Sequence, residues 1–320
     1  MNQKAKTEYL PKGVKKDVPL ASFTTFKIGG PAKYFLEVES KEQLIKTLLI
    51  AQELKEPFFI LGGGSNLVVS DKGFDGLLIK MQNKKYETVD QNIIAEAGVL
   101  LDDLVKSSLE NSLMGLEWAA GIPGTLGGAI RGNAAAFGNS MDNLISQVEV
   151  FDSKTQRIER LKKVGCQFDY KNSIFKQNPH LIILSAELQL KRGSKKEIEK
   201  KINEYLKYRE TNHPLDFPSA GCIFQNQKSK IRDQKLLDEF PMLEQSNKKG
   251  EIPAGFLIDK CGLKGRRIGQ AQISEKHANF IVNAGGAKGE DVLQLISLIK
   301  KKVKDKFGIE LEEEIQYLGF

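Results

Sequence analysis

The sequence predicts a fold of mixed helices and strands in two or three subdomains, and three observations carry that reading. At 320 residues and 40% hydrophobic content, the chain reaches the length at which a single core stops growing. Apolar runs of strand length alternate with segments of helical spacing until about residue 192, where a lysine- and glutamate-rich composition takes over. Two glycine-rich stretches interrupt the first half: Leu61–Leu67, reading LGGGSNL, and Ala120–Gly138, reading AGIPGTLGGAIRGNAAAFG.

Residues 1–19 are polar and lysine-rich, with Pro11 and Pro19, and read as a lead-in segment. A first domain over 20–192 then opens with a strand at Tyr34–Val38. A helix follows over Lys41–Lys55, with Leu44, Leu48 and Ala51 on one face, and a strand at Phe58–Leu61 runs into the first glycine stretch. Gly76–Met81 and Ile93–Ala97 read as strands, Leu101–Leu109 as a helix, and Leu144–Asp152 as a strand before the turn at Ser153–Thr155. Leu181–Lys191 closes this domain as a long strand. Ser194 is placed to cap an amphipathic helix to Arg209, with Ile198, Ile202, Tyr205 and Leu206 at helical spacing, and the boundary falls at its start. The second domain, 193–305, has a proline-containing loop at His213–Gly221, a helix at Ala254–Cys261, a strand at Asn279–Asn283 and a helix over Lys288–Phe307. The tail 306–320 includes a strand at Glu312–Gly319 that could return toward the first domain.

The formal charge of +7, from 48 basic and 41 acidic residues, is spread along the chain, which argues against a nucleic-acid surface and suits a small anionic substrate. Cys166, Cys222 and Cys261 form no CxxC or Cys/His cluster, so neither a disulfide framework nor a metal site is expected, and the compartment reads as reducing. The start MNQKAKTEYLPKG lacks an apolar export core, and no membrane-length apolar run follows. The expectation is a cytoplasmic protein without membrane association.

Bare backbone amides held by two glycine runs suit a pyrophosphate, and together the runs point to a bound flavin. Taken singly, each run also reads as a tight turn that needs positive φ. No GxxxxGK[ST] loop is present, and Leu67 stands where a GxGxxG fingerprint needs its third glycine. His180, His213 and His277 all lie outside the runs, so the flavin is expected to be held without a covalent bond.

Seven stretches in order carry a more specific resemblance: TTFKIGGPA (Thr24–Ala32), LGGGSNL, AGIPGTLGG, FDYKNSIF (Phe168–Phe175), PSAGCIF (Pro218–Phe224), Ala254–Asn283 and LEEEIQYLG. Together they resemble the UDP-N-acetylenolpyruvoylglucosamine reductase family, also called UDP-N-acetylmuramate dehydrogenase. SEKHAN at Ser274–Asn279 resembles its compact branch. The resemblance implies an α+β protein, with a flavin-binding portion of the vanillyl-alcohol-oxidase type made of two α+β subdomains and a C-terminal α+β substrate domain. It implies FAD, NADPH as reductant and a UDP-sugar substrate, and a monomer is expected.

For FAD, the resemblance implies contacts from Gly62, Gly63, Gly64, Ser65 and Asn66, from Gly121, Ile122, Pro123, Gly124, Thr125, Gly127 and Gly128, and from Asn133. It places Lys171 and Glu314 at the substrate carboxylate and Cys222 as proton donor. Tyr170, Arg209, Asn226, Lys264 and His277 are placed along the substrate. Two positions depart from the family pattern: Lys171 stands where arginine is usual and Cys222 where serine is common. Lysine keeps the charge without the planar fork, and a thiol keeps a proton to donate. Read without the family, Lys171 is a turn lysine, Cys222 a small apolar residue and Glu314 part of an acidic run. Another flavin oxidoreductase acting on a sugar or lactone, or an inactive flavin-binding homologue, are the competing readings.

Overall fold

The computed structural model describes residues 9–228, 231 and 234–320, so residues 1–8 of the expected lead-in lie outside the described residues. Packing divides the chain into two units, each assembled from separated stretches. The first takes the chain up to Val18, Pro31–Gly64 and Phe74–Thr211; the second takes Pro19–Gly30, Ser65–Gly73 and Asn212–Phe320. The helix Lys195–Asn212, where the sequence reading opens its second domain, falls in the first unit because Ile198 and Ile202 are buried in that unit's core.

The first unit contains a four-stranded sheet in the order Lys15–Pro19, Pro31–Val38, Phe74–Met81, Phe58–Leu61, the last three strands being parallel. The helix Lys41–Glu53 supplies the connection that parallel strands require, and the Ser40 hydroxyl caps it by accepting the Gln43 N–H at 3.2 Å. Leu44, Leu48 and Ala51 are buried on its inner face, as their spacing predicts. A five-stranded antiparallel sheet follows, ordered Arg157–Lys162, Ile145–Asp152, Leu181–Gln189, Asn92–Glu96, Tyr86–Val89. Its two outer strands are mostly exposed and lack an apolar rhythm, which is why hydrophobic periodicity passes over them. The helix Leu101–Glu110 buries Leu101, Leu104 and Val105. A short helix, Leu126–Arg131, lies inside the second glycine stretch. Glycine's low helix propensity hides it in the sequence, and burial of Leu126 and Ile130 forms it.

The second unit holds an antiparallel sheet ordered Ser219–Cys222, Phe280–Asn283, Ala271–Ile273, Arg267–Ile268. The helix Gly289–Phe307 buries Val292, Leu295, Ile296, Ile299 and Val303. Asp71 accepts the backbone N–H groups of Gly289 and Glu290 at 3.1 and 3.3 Å at its start. The strand Leu67–Val69, directly after the first glycine run, pairs in parallel with Gln316–Leu318. The expected strand Glu312–Gly319 is therefore shorter than read. Glu312–Glu314 instead align antiparallel with Ile223–Gln225, through Gln225 N–H to Glu312 O at 2.9 Å and Glu314 N–H to Ile223 O at 2.8 Å. One chain segment cannot keep a single strand geometry while changing partner and direction within a few residues. Among the described residues no helix is long and apolar enough to cross a membrane.

Candidate active site

In the first unit the two glycine runs pack backbone against backbone. A Cβ at Gly62 would stand 2.5 Å from Thr125 Oγ1, and one at Gly63 would stand 2.5 Å from Gly124 Cα. At positions 62 and 63 only glycine allows that approach. The N–H groups of Gly62 and Gly63 have no protein acceptor among the described residues. Bare N–H donors where two loops meet form a cradle that suits the pyrophosphate of FAD.

Other amides of the second run have structural partners. Ile122 donates to Ala119 O at 3.0 Å, Leu126 to Val99 O at 2.8 Å and Gly127 to Ala97 O at 2.9 Å, while Pro123 has no N–H. Thr125 caps the short helix by accepting the Gly128 N–H at 3.4 Å. These bonds lock the run to the chain entering the helix Leu101–Glu110. Asn133, 4% exposed, donates to Asp169 O at 2.9 Å and accepts the Asp142 N–H at 3.1 Å. Its side chain thus ties the end of the short helix to the loop carrying Tyr170 and Lys171.

That loop is a tight turn closed by reciprocal backbone bonds of 3.1 Å between Asp169 and Asn172, with Lys171 at φ +53°. A non-glycine residue held there costs about 1 kcal/mol, which buried neighbours offset. Ser173 is one such neighbour, fully buried and donating to Arg131 O at 2.7 Å. Lys171 and its side chain are therefore presented from a rigid base. Arg209, 8% exposed, donates to Ala120 O at 2.9 Å and Trp118 O at 3.1 Å and lies over the Phe137 ring at 5.1 Å. These contacts make it a clamp on the entry to the second glycine run. Lys80, absent from the sequence reading, donates from Nζ to the Gly62 carbonyl.

In the second unit, Asn66 bonds to the tail. Its amide donates to Glu314 O at 3.1 Å, and its carbonyl accepts the Gln316 N–H at 3.1 Å. Glu314 in turn bonds the backbone of Ile223, next to Cys222, so two of the expected catalytic residues come from paired segments. Cys222 is half-buried and outside any disulfide. Between Ser219 and Cys222 the pairing with Phe280–Val282 slips through a bulge, and Gly221 sits there at φ +76°. A bulge of this kind re-aims the side chain that follows it. The neighbouring Glu313 is engaged elsewhere, accepting from Lys300 Nζ at 2.8 Å and the Tyr317 hydroxyl at 2.9 Å.

Asn279 was not singled out by sequence, yet its amide accepts the Phe224 N–H at 3.0 Å and donates to Phe224 O at 2.8 Å, fixing the PSAGCIF segment. Asn226 accepts the Ala254 N–H at 3.2 Å at the head of the helix Ala254–Lys260 and donates to Glu251 at 3.0 Å. Lys264, in a turn between Gly262 and Gly265, lies 3.3 Å from Asp259. Burial pushes the His277 imidazolium down from its usual range, with repulsion from Lys264 adding to the effect. A neutral ring follows at pH 7, and its Nδ1 accepts the Asn279 N–H at 3.2 Å, which leaves the proton on Nε2. His213 packs edge-on against it at 5.7 Å.

The bare glycine amides of the first unit define a flavin-binding protein, and the second unit carries a thiol and a carboxylate on paired segments. Residues 32–161 match the model of the FAD binding domain family, and residues 213–318 match that of the UDP-N-acetylenolpyruvoylglucosamine reductase C-terminal domain. The chain is 41% identical over 302 residues to the UDP-N-acetylenolpyruvoylglucosamine reductase of Caldanaerobacter subterraneus subsp. tengcongensis, covering 94% of this chain and 92% of that one. It is 40% identical over 307 residues to the same enzyme of Caldicellulosiruptor bescii, covering 95% and 90%. The crystal structure of the reductase from Thermus caldophilus superposes with a TM-score of 0.75 at 33% identity, over 96% of this chain and 99% of that one. The chain belongs to the UDP-N-acetylenolpyruvoylglucosamine reductase family, α+β flavoenzymes that bind FAD and reduce an enolpyruvyl ether in peptidoglycan precursor synthesis.

Proposed function

We propose that this chain reduces UDP-N-acetylglucosamine enolpyruvate to UDP-N-acetylmuramate with electrons from NADPH, and that Lys171, Glu314 and Cys222 act on the reacting group. FAD, when bound, supplies the hydride chemistry. Gly62 and Gly63 hold its pyrophosphate through their backbone N–H groups, in the cradle closed by Gly124 and Thr125. Lys171 offers positive charge to the substrate carboxylate, where negative charge grows as the alkene is reduced. Glu314 helps orient the reacting group, and Cys222 delivers the proton to the carbon next to the carboxylate. Tyr170, Asn226, Lys264 and His277 are proposed to line the nucleotide-sugar. A monomer working in the cytoplasm fits a nucleotide-sugar substrate and a nicotinamide reductant.

The observation that carries this reading is the backbone bond from Glu314 to Ile223, which ties the carboxylate-bearing tail to the thiol-bearing segment in one unit. General acid catalysis contributes about 10² to 10⁴-fold, so Cys222→Ala should slow oxidation of the reduced enzyme by the enolpyruvyl substrate by that order. Its reduction by NADPH should stay nearly unchanged, and Cys222→Ser should restore much of the lost rate. Stopped-flow absorbance measures both halves; an alanine variant as fast as the parent makes Cys222 a packing residue.

A further inference from the structure

Lys80 stands on the strand Phe74–Met81, opposite Leu61, the last residue before the first glycine run. Its ammonium turns to that run and donates to the carbonyl of Gly62. Among the described residues no carboxylate lies within ion-pair distance of it, and burial lowers its pKa from the usual lysine value, with Lys84 adding to the effect and Glu37 opposing it. A largely desolvated cation held by one peptide carbonyl is an expensive arrangement to keep for packing alone.

The peptide it grips has a second end. No cis peptide occurs among the described residues, so the Gly62 carbonyl and the Gly63 N–H point in opposite directions from one planar unit. Holding the carbonyl fixes where the N–H points, and that N–H has no protein acceptor among the described residues. A charged donor on the carbonyl also polarises the amide and strengthens the N–H as a donor in turn. Gly63 itself cannot resist rotation of this peptide, having no side chain to restrict it.

We propose that Lys80 is a cofactor-positioning residue, which orients and polarises the Gly62–Gly63 peptide so that the Gly63 N–H is aimed at the diphosphate of FAD. The inference rests on the placement of the pyrophosphate in the glycine cradle. It makes a selective demand: Lys80 matters for flavins that carry a diphosphate and not for those that lack one.

Titration of the flavin-stripped full chain with FAD and with riboflavin, followed by flavin fluorescence, tests it. Loss of one charge-assisted hydrogen bond should weaken FAD binding by Lys80→Met about 10- to 100-fold. Riboflavin affinity should move by no more than about two-fold. Lys80→Arg, which keeps the charge, should bind FAD nearly as the parent does. Should Lys80→Met fail to fold, Lys80→Gln carries the same comparison. Equal weakening of FAD and riboflavin overturns the proposal, since Lys80 would then act through general packing. Unchanged FAD binding in Lys80→Met alongside loss of FAD in Gly63→Val also overturns it while leaving the cradle intact. Retention of FAD by both variants removes the cradle and the proposal together.

Discussion

Replacing Gly63 by alanine adds a single methyl group at the point where the two glycine runs meet. That carbon would lie 2.5 Å from Gly124 Cα, 3.2 Å from its N and 3.3 Å from its C. Carbon atoms in contact normally stand about 3.5–4.0 Å apart, so the overlap is about 1 Å, and the obstacle is backbone that cannot rotate away. Overpacking of this kind costs about 1–3 kcal/mol. The strain is relieved by moving the runs apart, which opens the cradle, so the same energy should appear as about a 5- to 150-fold loss of FAD affinity. FAD titration of the stripped chain measures it, with thermal melts at fixed FAD concentration as a second readout. Gly138→Ala is the control: Gly138 has φ +77° and open space around it, so it should lose about 1 kcal/mol of stability and no FAD affinity. A Gly63→Ala protein that melts and binds FAD as the parent does would refute the reasoning. One that loses stability but keeps FAD affinity would place the pyrophosphate elsewhere.

Lys171→Met should slow oxidation of the reduced enzyme by substrate far more than its reduction by NADPH, whereas Lys171→Arg should retain most of the rate; equal losses in both halves would mark a folding defect. The His277 pKa is lower in the fold than in the unfolded chain, so the unfolded chain takes up its proton first as pH falls. The stability this residue supports is therefore full above about pH 6.5 and is lost as pH drops through the lower folded value. His277→Gln should reduce the difference in melting temperature between pH 7.5 and pH 5, and an unchanged difference would remove His277 as its source.

The sequence by itself determined the regular elements that bury a continuous apolar face, because a period of two or 3.6 residues is written locally. Lys41–Glu53 and Gly289–Phe307 are of that kind. It also pointed to a flavin, through two glycine-rich runs whose bare amides suit a pyrophosphate, and the order of seven motifs pointed to the family. The edge strands Tyr86–Val89 and Arg157–Lys162 and the glycine-rich helix Leu126–Arg131 left no such trace, since pairing and packing form them against weak local preference.

Only the tertiary structure decided which chain stretches build each unit, because Ser65–Gly73 and the tail meet across more than 240 residues of sequence, as in the Asn66 to Glu314 bond. It separated close approach from backbone conformation within the first run: the positive φ belongs to Gly64, while Gly63 is required by the nearness of Gly124. It also brought the side chains of Arg209, Asn133 and Asn279 to backbone groups that they hydrogen-bond. A hydrogen bond to a carbonyl or an amide can be made by any residue that the fold brings near it, so its far end carries no residue type that a sequence could display.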